Sequence, residues 1–202
     1  ILLPGPWRHR FVPANAARFH VAEVDGTAGA STTPLVVLLP AFPQMWWAWR
    51  AQLAALGEAG YRAVAMDLRG TGASDKPPSG YDVPTLARDV AGVIRSLGAQ
   101  EAVVVGHGVG GTVAWSMPAL QPEVTRAVGA VASLHPLQMH TSAVIRAMLG
   151  RTTARRLAFV QLPWFPERRM VRGDLVVRVL AEWGAPGWLE ADVAETYRDA
   201  AR

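Results

Sequence analysis

Short apolar runs bounded by turn residues recur along the first part of the chain and predict the strands of a sheet. Residues 19–24 alternate between the two faces of a strand, as expected when one face is buried. Continuous apolar runs, which are typical of strands buried on both faces, occupy residues 35–39, 63–66 and 102–105. A further strand is predicted over residues 127–132.

Between these runs, apolar residues recur at the three- and four-residue spacing of amphipathic helices. One face of the first predicted helix carries Trp46, Trp49, Leu53 and Leu56. The second has Pro84 near its start, a position that proline favours, and its apolar face carries Leu86, Val90, Val93, Ile94 and Leu97. A third helix is predicted over residues 112–120. Because strands and helices alternate, we expect an α/β fold with a mostly parallel, doubly wound sheet.

The pattern changes after Pro136, and we therefore predict two domains, residues 1–136 and residues 137–202. The second has helical segments without a convincing strand, broken at Pro163, Pro166, Gly173, Gly184 and Pro186. Its last helix carries Leu189, Val193 and Tyr197 on one face, because residues four apart share a face. We interpret this part as a helical insert.

Composition narrows the class of protein further. Half of the 202 residues are hydrophobic, which is enough for a sizeable core. The net charge of +4 is spread along the chain and does not indicate a nucleic-acid partner. No apolar run approaches the roughly 20 residues needed to cross a bilayer, so we predict no membrane span. The absence of cysteine excludes disulfides and thiolate chemistry. We expect a cytoplasmic protein without a metal or cofactor.

A glycine-rich turn between a predicted strand and helix admits two interpretations. Gly106, Gly108 and Gly111 match the pattern Gly-x-Gly-x-x-Gly, in which a helix N-terminus holds a dinucleotide pyrophosphate. That fold also needs an acidic residue at the end of the next strand, where this chain has Ala-Ser-Leu-His at 132–135. The same residues also fit a strand-turn-helix elbow that displays a nucleophile at its tip. Dinucleotide binding is retained as an alternative.

Other motifs favour the elbow because they occur in a family-specific order. Residues 40–50 read PAFPQMWWAWR, residues 59–70 read AGYRAVAMDLRG, and residues 74–78 read SDKPP. The elbow, Pro122-Glu123-Val124 and His135-Pro136 follow. From about residue 6 to residue 202, the chain resembles the epoxide-hydrolase-like branch of the α/β-hydrolases, which is related to the haloalkane dehalogenases. The resemblance implies the α/β-hydrolase fold, with a helical cap formed by the insert.

In that family, a carboxylate at the elbow tip attacks the substrate and forms an ester, which an activated water then cleaves. The matching position here is Gly108, which has no side chain to react. Thr112 is the nearest hydroxyl, but we expect it to point away from the tip. The resemblance therefore implies that covalent catalysis has been lost. Glycine tolerates the strained backbone of such a turn, so we expect the fold to survive.

The resemblance also implies an oxyanion hole formed by the backbone N–H groups of Phe42 and Val109. Pro40-Ala41 replaces the family's His-Gly just before this loop, but the two N–H groups remain. We expect Phe42–Pro43 to keep the family's cis peptide. We expect Trp46 and Tyr197 to line the ligand cleft. Tyr197 matches a cap tyrosine of epoxide hydrolases, and packing in the core is its alternative role.

The family's catalytic histidine and second acid follow the cap, and nothing in this sequence matches them. We interpret His9, His20, His107, His135 and His140 as structural residues, with the first two flanking the first strand. We expect the C-terminal part of the sheet to be absent from this chain. It would be supplied by a second chain or a C-terminal fragment.

Two further hypotheses accompany the dinucleotide alternative. In the first, the chain is a pseudoenzyme that binds a small hydrophobic molecule or a protein partner. In the second, it is an active epoxide or ester hydrolase with an unusual nucleophile, such as a water held where the side chain is missing, and a base from the missing half.

Overall fold

The computed structural model describes residues 1–26, 34–140, 159, 168–170, 175–185 and 187–200. The chain folds as two compact units, Ile1–Ser133 and Leu134–Arg202. The boundary predicted from the sequence follows Pro136, three residues beyond the end of the first unit. In the insert, Pro163, Pro166, Gly173 and Pro186 lie outside the described residues.

The first unit contains a six-stranded sheet in the order β1-β2-β4-β3-β5-β6. Its strands are β1 (Arg8–Ala14), β2 (Ala17–Val24), β3 (Leu35–Leu39), β4 (Ala63–Met66), β5 (Ala102–His107) and β6 (Thr125–Val131). β3 runs parallel to β4 and β5, and β5 runs parallel to β6. β2 pairs antiparallel with both β1 and β4. The predicted mostly parallel sheet is confirmed, with an antiparallel hairpin at one edge.

The helices begin close to their predicted positions. In the first unit, a 3-10 turn at Trp46–Trp49 leads into α1 (Arg50–Glu58), and α2 (Val83–Ser96) and α3 (Val109–Leu120) follow. The described helices of the second unit are α4 (Leu175–Trp183) and α5 (Ala191–Ala200), preceded by a 3-10 turn at Pro136–His140. α2 begins where Asp82 accepts a hydrogen bond from the backbone N–H of Thr85, which caps its N-terminus.

The first strand, β1, was not predicted from the sequence. It lies at the edge of the sheet, and Val12 is its one buried residue, so the alternation that identifies a strand is weak. A tight turn at Asn15 and Ala16, both with positive φ, connects it to β2. As a result, His9 lies within β1 and His20 within the paired strand β2. The expectation that both histidines flank the first strand is wrong.

A buried polar network connects this hairpin to the rest of the sheet. His20 is fully buried, and its Nδ1 lies 2.8 Å from Oδ2 of Asp67, directly after β4. Its Nε2 lies 2.9 Å from Nδ1 of His9, whose Nε2 lies 2.8 Å from the carbonyl oxygen of Leu3. Asp67 also accepts hydrogen bonds from the backbone N–H groups of Trp46 and Ala73. One carboxylate therefore holds the loops after β3 and β4 in place.

Glu23 on β2 is a second buried carboxylate, and two cations surround it. Its side chain is 1% exposed and accepts hydrogen bonds from Arg10 on β1 and from Arg62 just before β4. Burial alone raises the pKa of Glu23, but the hydrogen bonds and charges of Arg10 and Arg62 outweigh burial and hold it below its usual value of 4.5. Glu23 is therefore ionised at neutral pH and joins three adjacent segments.

We expect Glu23→Gln to lower the free energy of unfolding at pH 7 by about 1–3 kcal/mol, because hydrogen bonds to a charged group are lost. The folded-state pKa lies below the unfolded value, so this contribution is present above the unfolded pKa and is lost as pH falls through the folded pKa. Urea unfolding from pH 7 to pH 3 should show the two proteins converging in acid.

The matched control is Asp25→Asn, which removes an exposed pair with Arg8 whose side chains are 64% and 61% exposed. We expect it to change stability by less than about 0.5 kcal/mol, because exposed ion pairs contribute little. Equal losses in the two variants would contradict the role of Glu23.

Candidate active site

The carboxyl ends of β3 and β5 bring two loops together. These strands are parallel neighbours, and Leu39 at the end of β3 is paired with Gly106 near the end of β5. Because parallel strands end at the same edge of a sheet, the loop that begins at Pro40 lies beside the turn at Gly108. This juxtaposition forms the candidate site.

Gly108 is the tip of a sharp strand-turn-helix elbow. It connects β5 to α3 with φ 54° and ψ −116°, a conformation that side chains rarely adopt. Its N–H donates to the carbonyl of Val131 on β6 at 3.1 Å, and its own carbonyl accepts from Thr112 N–H at 3.0 Å. The elbow geometry predicted from the sequence is present, although its tip has no side chain.

The other glycines of this segment are required by close packing. A Cβ atom on Gly106 would overlap the backbone of Gly110, and one on Gly110 would overlap the carbonyl of Leu39. A Cβ atom on Gly111 would meet the side chain of Ser133. The Gly-x-Gly-x-x-Gly pattern thus has a packing explanation that needs no bound phosphate.

A cavity of about 170 Å³ lies between the two loops. It is lined by Pro40, Ala41, Phe42, Gln44, Leu68, Arg69, Thr71, Tyr81, Leu86 and Val109. An apolar protein cavity of roughly 150 Å³ is large enough to hold benzene. The cavity can therefore accept one aromatic ring or a group of similar size.

The two residues predicted to form the oxyanion hole, Phe42 and Val109, both line this cavity. They are 40% and 45% exposed, and among the described residues neither backbone N–H donates to a backbone carbonyl. The Phe42–Pro43 peptide is cis, as expected. Two N–H groups beside an apolar cavity suit a ligand that combines an apolar body with an oxygen acceptor.

The polar side chains on the cavity wall bind other groups of the protein. Arg69 makes two hydrogen bonds to Asp89, which raise its pKa and keep it charged. The hydroxyls of Thr71 and Tyr81 donate to the carbonyls of Leu68 and Pro77. Within the described part of the chain, no carboxylate lines this cavity.

Thr112 is the nearest hydroxyl to the elbow tip along the sequence. Its hydroxyl oxygen lies 3.4 Å from the carbonyl oxygen of Gly108 and 3.3 Å from the hydroxyl of Ser133. The hydroxyl thus contacts the backbone of the elbow tip and the segment after β6, and Thr112 is not among the residues that line the cavity.

Trp46, one of the two residues expected to line the ligand cleft, does not line this cavity. Trp46 is fully buried and packs against Trp7, His9 and His20. It is absent from the cavity wall because its backbone is held by Asp67 and its indole N–H by the carbonyl of Ile1. Tyr197 lies on α5 in the second unit and is 2% exposed.

His107 precedes the elbow tip, and its Nδ1 lies 3.3 Å from the amide oxygen of Gln44 in the oxyanion loop. Burial lowers its pKa from the ordinary value of 6.5, so His107 is neutral at pH 7. Of the remaining histidines, His135 accepts a hydrogen bond from the N–H of Leu137, and the side chain of His140 lies outside the described residues. His107 thus connects the strand to the loop.

The described residues contain no cluster of three or more His, Asp or Glu side chains that could hold a metal ion. None of the helices described is both long and apolar enough to cross a membrane.

Comparison with known proteins adds the family relationship. A family model described as alpha/beta hydrolase fold matches residues 34–170. The chain is 36% identical over 167 residues to the AB hydrolase superfamily protein YfhM of Bacillus subtilis, covering 82% of this chain and 57% of that protein. It is 44% identical over 117 residues to epoxide hydrolase B of Mycobacterium tuberculosis, covering 57% of this chain and 32% of that one.

Solved structures agree with this relationship. An epoxide hydrolase from Vigna radiata matches with a TM-score of 0.78 and 27% identity. The match covers 96% of this chain and 67% of that one. In each of these comparisons the chain spans only part of its relative's length.

We expect stability to depend on the protonation of His107. Because its folded-state pKa lies below the unfolded value, its contribution is present above the unfolded pKa and is lost as pH falls through the folded pKa. Below about pH 6.5 the free energy of unfolding should therefore fall more steeply in the native protein than in His107→Gln. Urea unfolding between pH 8 and pH 5 measures both slopes, and equal slopes would show that His107 is not desolvated.

Proposed function

This chain belongs to the α/β-hydrolase fold family, and we propose that it is an epoxide-hydrolase-like member without covalent catalysis that binds a small hydrophobic molecule. The observation that carries the proposal is Gly108 at the elbow tip, beside a cavity whose described wall has no carboxylate. The second unit would act as the helical cap that the resemblance implies.

The size of the rate loss that accompanies a missing nucleophile favours ligand binding over slow catalysis. Removing the nucleophile of a triad hydrolase costs about a millionfold in rate, and oxyanion donors and binding leave roughly a thousandfold over water. The donors alone therefore support binding of an oxygen acceptor, and they cannot supply the lost step. An apolar cavity with two N–H groups would still bind a ligand without a nucleophile.

A carbonyl compound with a small apolar body is the ligand class that fits these features. The carbonyl oxygen would accept from the N–H groups of Phe42 and Val109, and the apolar part would contact Leu68 and Leu86. Each such hydrogen bond contributes a net of about 0.5–1.5 kcal/mol. Burial of an aromatic ring would supply most of the affinity.

The edge of the sheet supports the further proposal that another segment covers it. In the described part of the chain, β6 pairs with β5 alone, and most of its residues are at least partly exposed, Val131 by 50%. Unpaired strand edges are normally covered or paired. A strand from a second chain or a C-terminal fragment would complete the sheet there.

An active hydrolase with an unusual nucleophile is the second candidate, because the elbow backbone and the two N–H donors are retained. A base from the covering segment would activate a water directly. Such an enzyme would turn over without an ester intermediate, which mass spectrometry during turnover distinguishes. The dinucleotide alternative requires NAD(P) at millimolar concentration to raise the melting temperature.

We expect the complete gene product to hydrolyse styrene oxide and p-nitrophenyl acetate no faster than about a thousandfold over the uncatalysed rate, which is about a millionfold below an enzyme with its nucleophile. The physical reason is the absent nucleophile at Gly108. Epoxide hydrolase B of Mycobacterium tuberculosis is the positive control for the epoxide. Turnover of either compound at an enzyme-like rate, abolished by Gly108→Ala, would refute the loss of catalysis.

We expect phenylacetamide to bind the native protein, and Val109→Pro to weaken that binding about three- to tenfold through loss of one hydrogen bond. Val109 is the first residue of α3, a position where proline is tolerated, so the helix should persist. Val109→Ala retains the N–H group and is the matched control. Isothermal titration measures each affinity, and equal affinities in the two variants would exclude the N–H group as a donor.

A further inference from the structure

We propose that Ala41 and Gly108 form an exclusive steric pair, so that only one of these two positions can carry a Cβ atom. This inference deepens the proposed loss of covalent catalysis and depends on the match of Gly108 to the nucleophile position. It makes Ala41, in the oxyanion loop, a second determinant of whether the elbow can hold a nucleophile.

The supporting observation is the space above the elbow tip. A Cβ atom built on Gly108 lies 2.9 Å from the Cβ of Ala41 and 3.6 Å from its Cα. Real Cβ contacts below 3.0 Å are essentially never observed. The methyl group of Ala41 therefore occupies space that the first atom of any side chain at Gly108 would need.

Neither partner has an easy way to move. A methyl group has no rotamer that would carry it away, so relief would require the backbone to shift. The Ala41 carbonyl accepts a hydrogen bond from Gln44 N–H at 2.7 Å, and the preceding Pro40 is buried. Gly108 is held through Val131 and Thr112, and the next turn of α3 lies directly against the carbonyl of Leu39 through Gly110.

The pairing changes how the altered loop is interpreted. By resemblance, a working elbow combines glycine at the position of Ala41 with a carboxylate side chain at the position of Gly108. Here the side chain stands at Ala41 and the glycine at Gly108, so the residue at each position leaves room for the other. Restoring a carboxylate at Gly108 alone would force it against Ala41. The methyl also fills part of the room that a catalytic water would need in the alternative mechanism.

A double-mutant cycle in the complete gene product tests the pair. Its members are the native protein, Ala41→Gly, Gly108→Ala and the double variant, each measured by urea unfolding. Gly108→Ala should reduce the folding equilibrium constant at least about fivefold more in the native background than in the Ala41→Gly background, because overpacking typically costs this much or more. The backbone strain of φ 54° is common to both measurements and cancels.

Gly98 provides the matched control because it also has positive φ, 77°, but a Cβ atom built there meets nothing within 4 Å. Gly98→Ala should reduce the equilibrium constant by the same factor with and without Ala41→Gly. Equal effects of Gly108→Ala in both backgrounds would overturn the pairing. If both Gly108→Ala proteins are unfolded in buffer, the comparison is repeated in trimethylamine N-oxide, which stabilises folded states.

The outcomes are separable from those of the proposed function. The cycle reports packing in the folded state and needs no substrate, whereas the turnover assay reports chemistry by the native protein. A coupled cycle with an active native enzyme would retain the steric pair and refute the loss of catalysis. An uncoupled cycle with an inactive native protein would refute the steric pair and leave the loss of catalysis in place.

Discussion

The close approach of α3 to the ends of the central strands is the constraint on which the site depends. Glycines make this approach possible, because a Cβ atom on Gly106 or Gly110 would overlap backbone atoms, and one on Gly111 would meet Ser133. The helix therefore starts directly at the strand end, and the tip between them must turn sharply with positive φ. A turn of this kind displays whatever residue stands at its tip. In this chain that residue is Gly108, so the turn persists while its side-chain chemistry is absent.

Buried polar groups hold the loop after β3 in place through hydrogen bonds. Asp67 accepts hydrogen bonds from the backbone of Trp46 and Ala73 and lies 2.8 Å from a ring nitrogen of His20. A fully buried carboxylate with several donors is costly to disturb, since each donor would be left unsatisfied. The loop after β3 is therefore held at both of its ends, by β3 itself and by Asp67. This rigidity is why one methyl group on Ala41 matters: a mobile loop would yield to an added atom, and this one is held.

The proposed function separates two properties that the family's covalent mechanism combines. Backbone N–H groups at Phe42 and Val109 depend on the fold and survive a change of sequence, whereas a nucleophile depends on one side chain and disappears with one substitution. Under the proposed function, the N–H groups of Phe42 and Val109 would orient an oxygen-containing ligand without a nucleophile beside them. The small volume of the cavity, about 170 Å³, limits what the described residues can enclose by themselves.

The sequence alone determined the parallel core, because continuous apolar runs and helical spacing are local patterns that report burial directly. β3 and β4 have the predicted bounds, and the cis Phe42–Pro43 peptide and the position of Gly108 followed from motif order. Only the tertiary structure revealed β1, whose edge position leaves one buried residue and thus little periodic signal. It also showed that Trp46 packs against Trp7, His9 and His20 and does not line the cavity. Helical spacing predicts that Trp46 is buried without saying which residues it contacts. The contact between Ala41 and Gly108 was equally hidden, because residues far apart in the sequence become neighbours only when β3 and β5 pair.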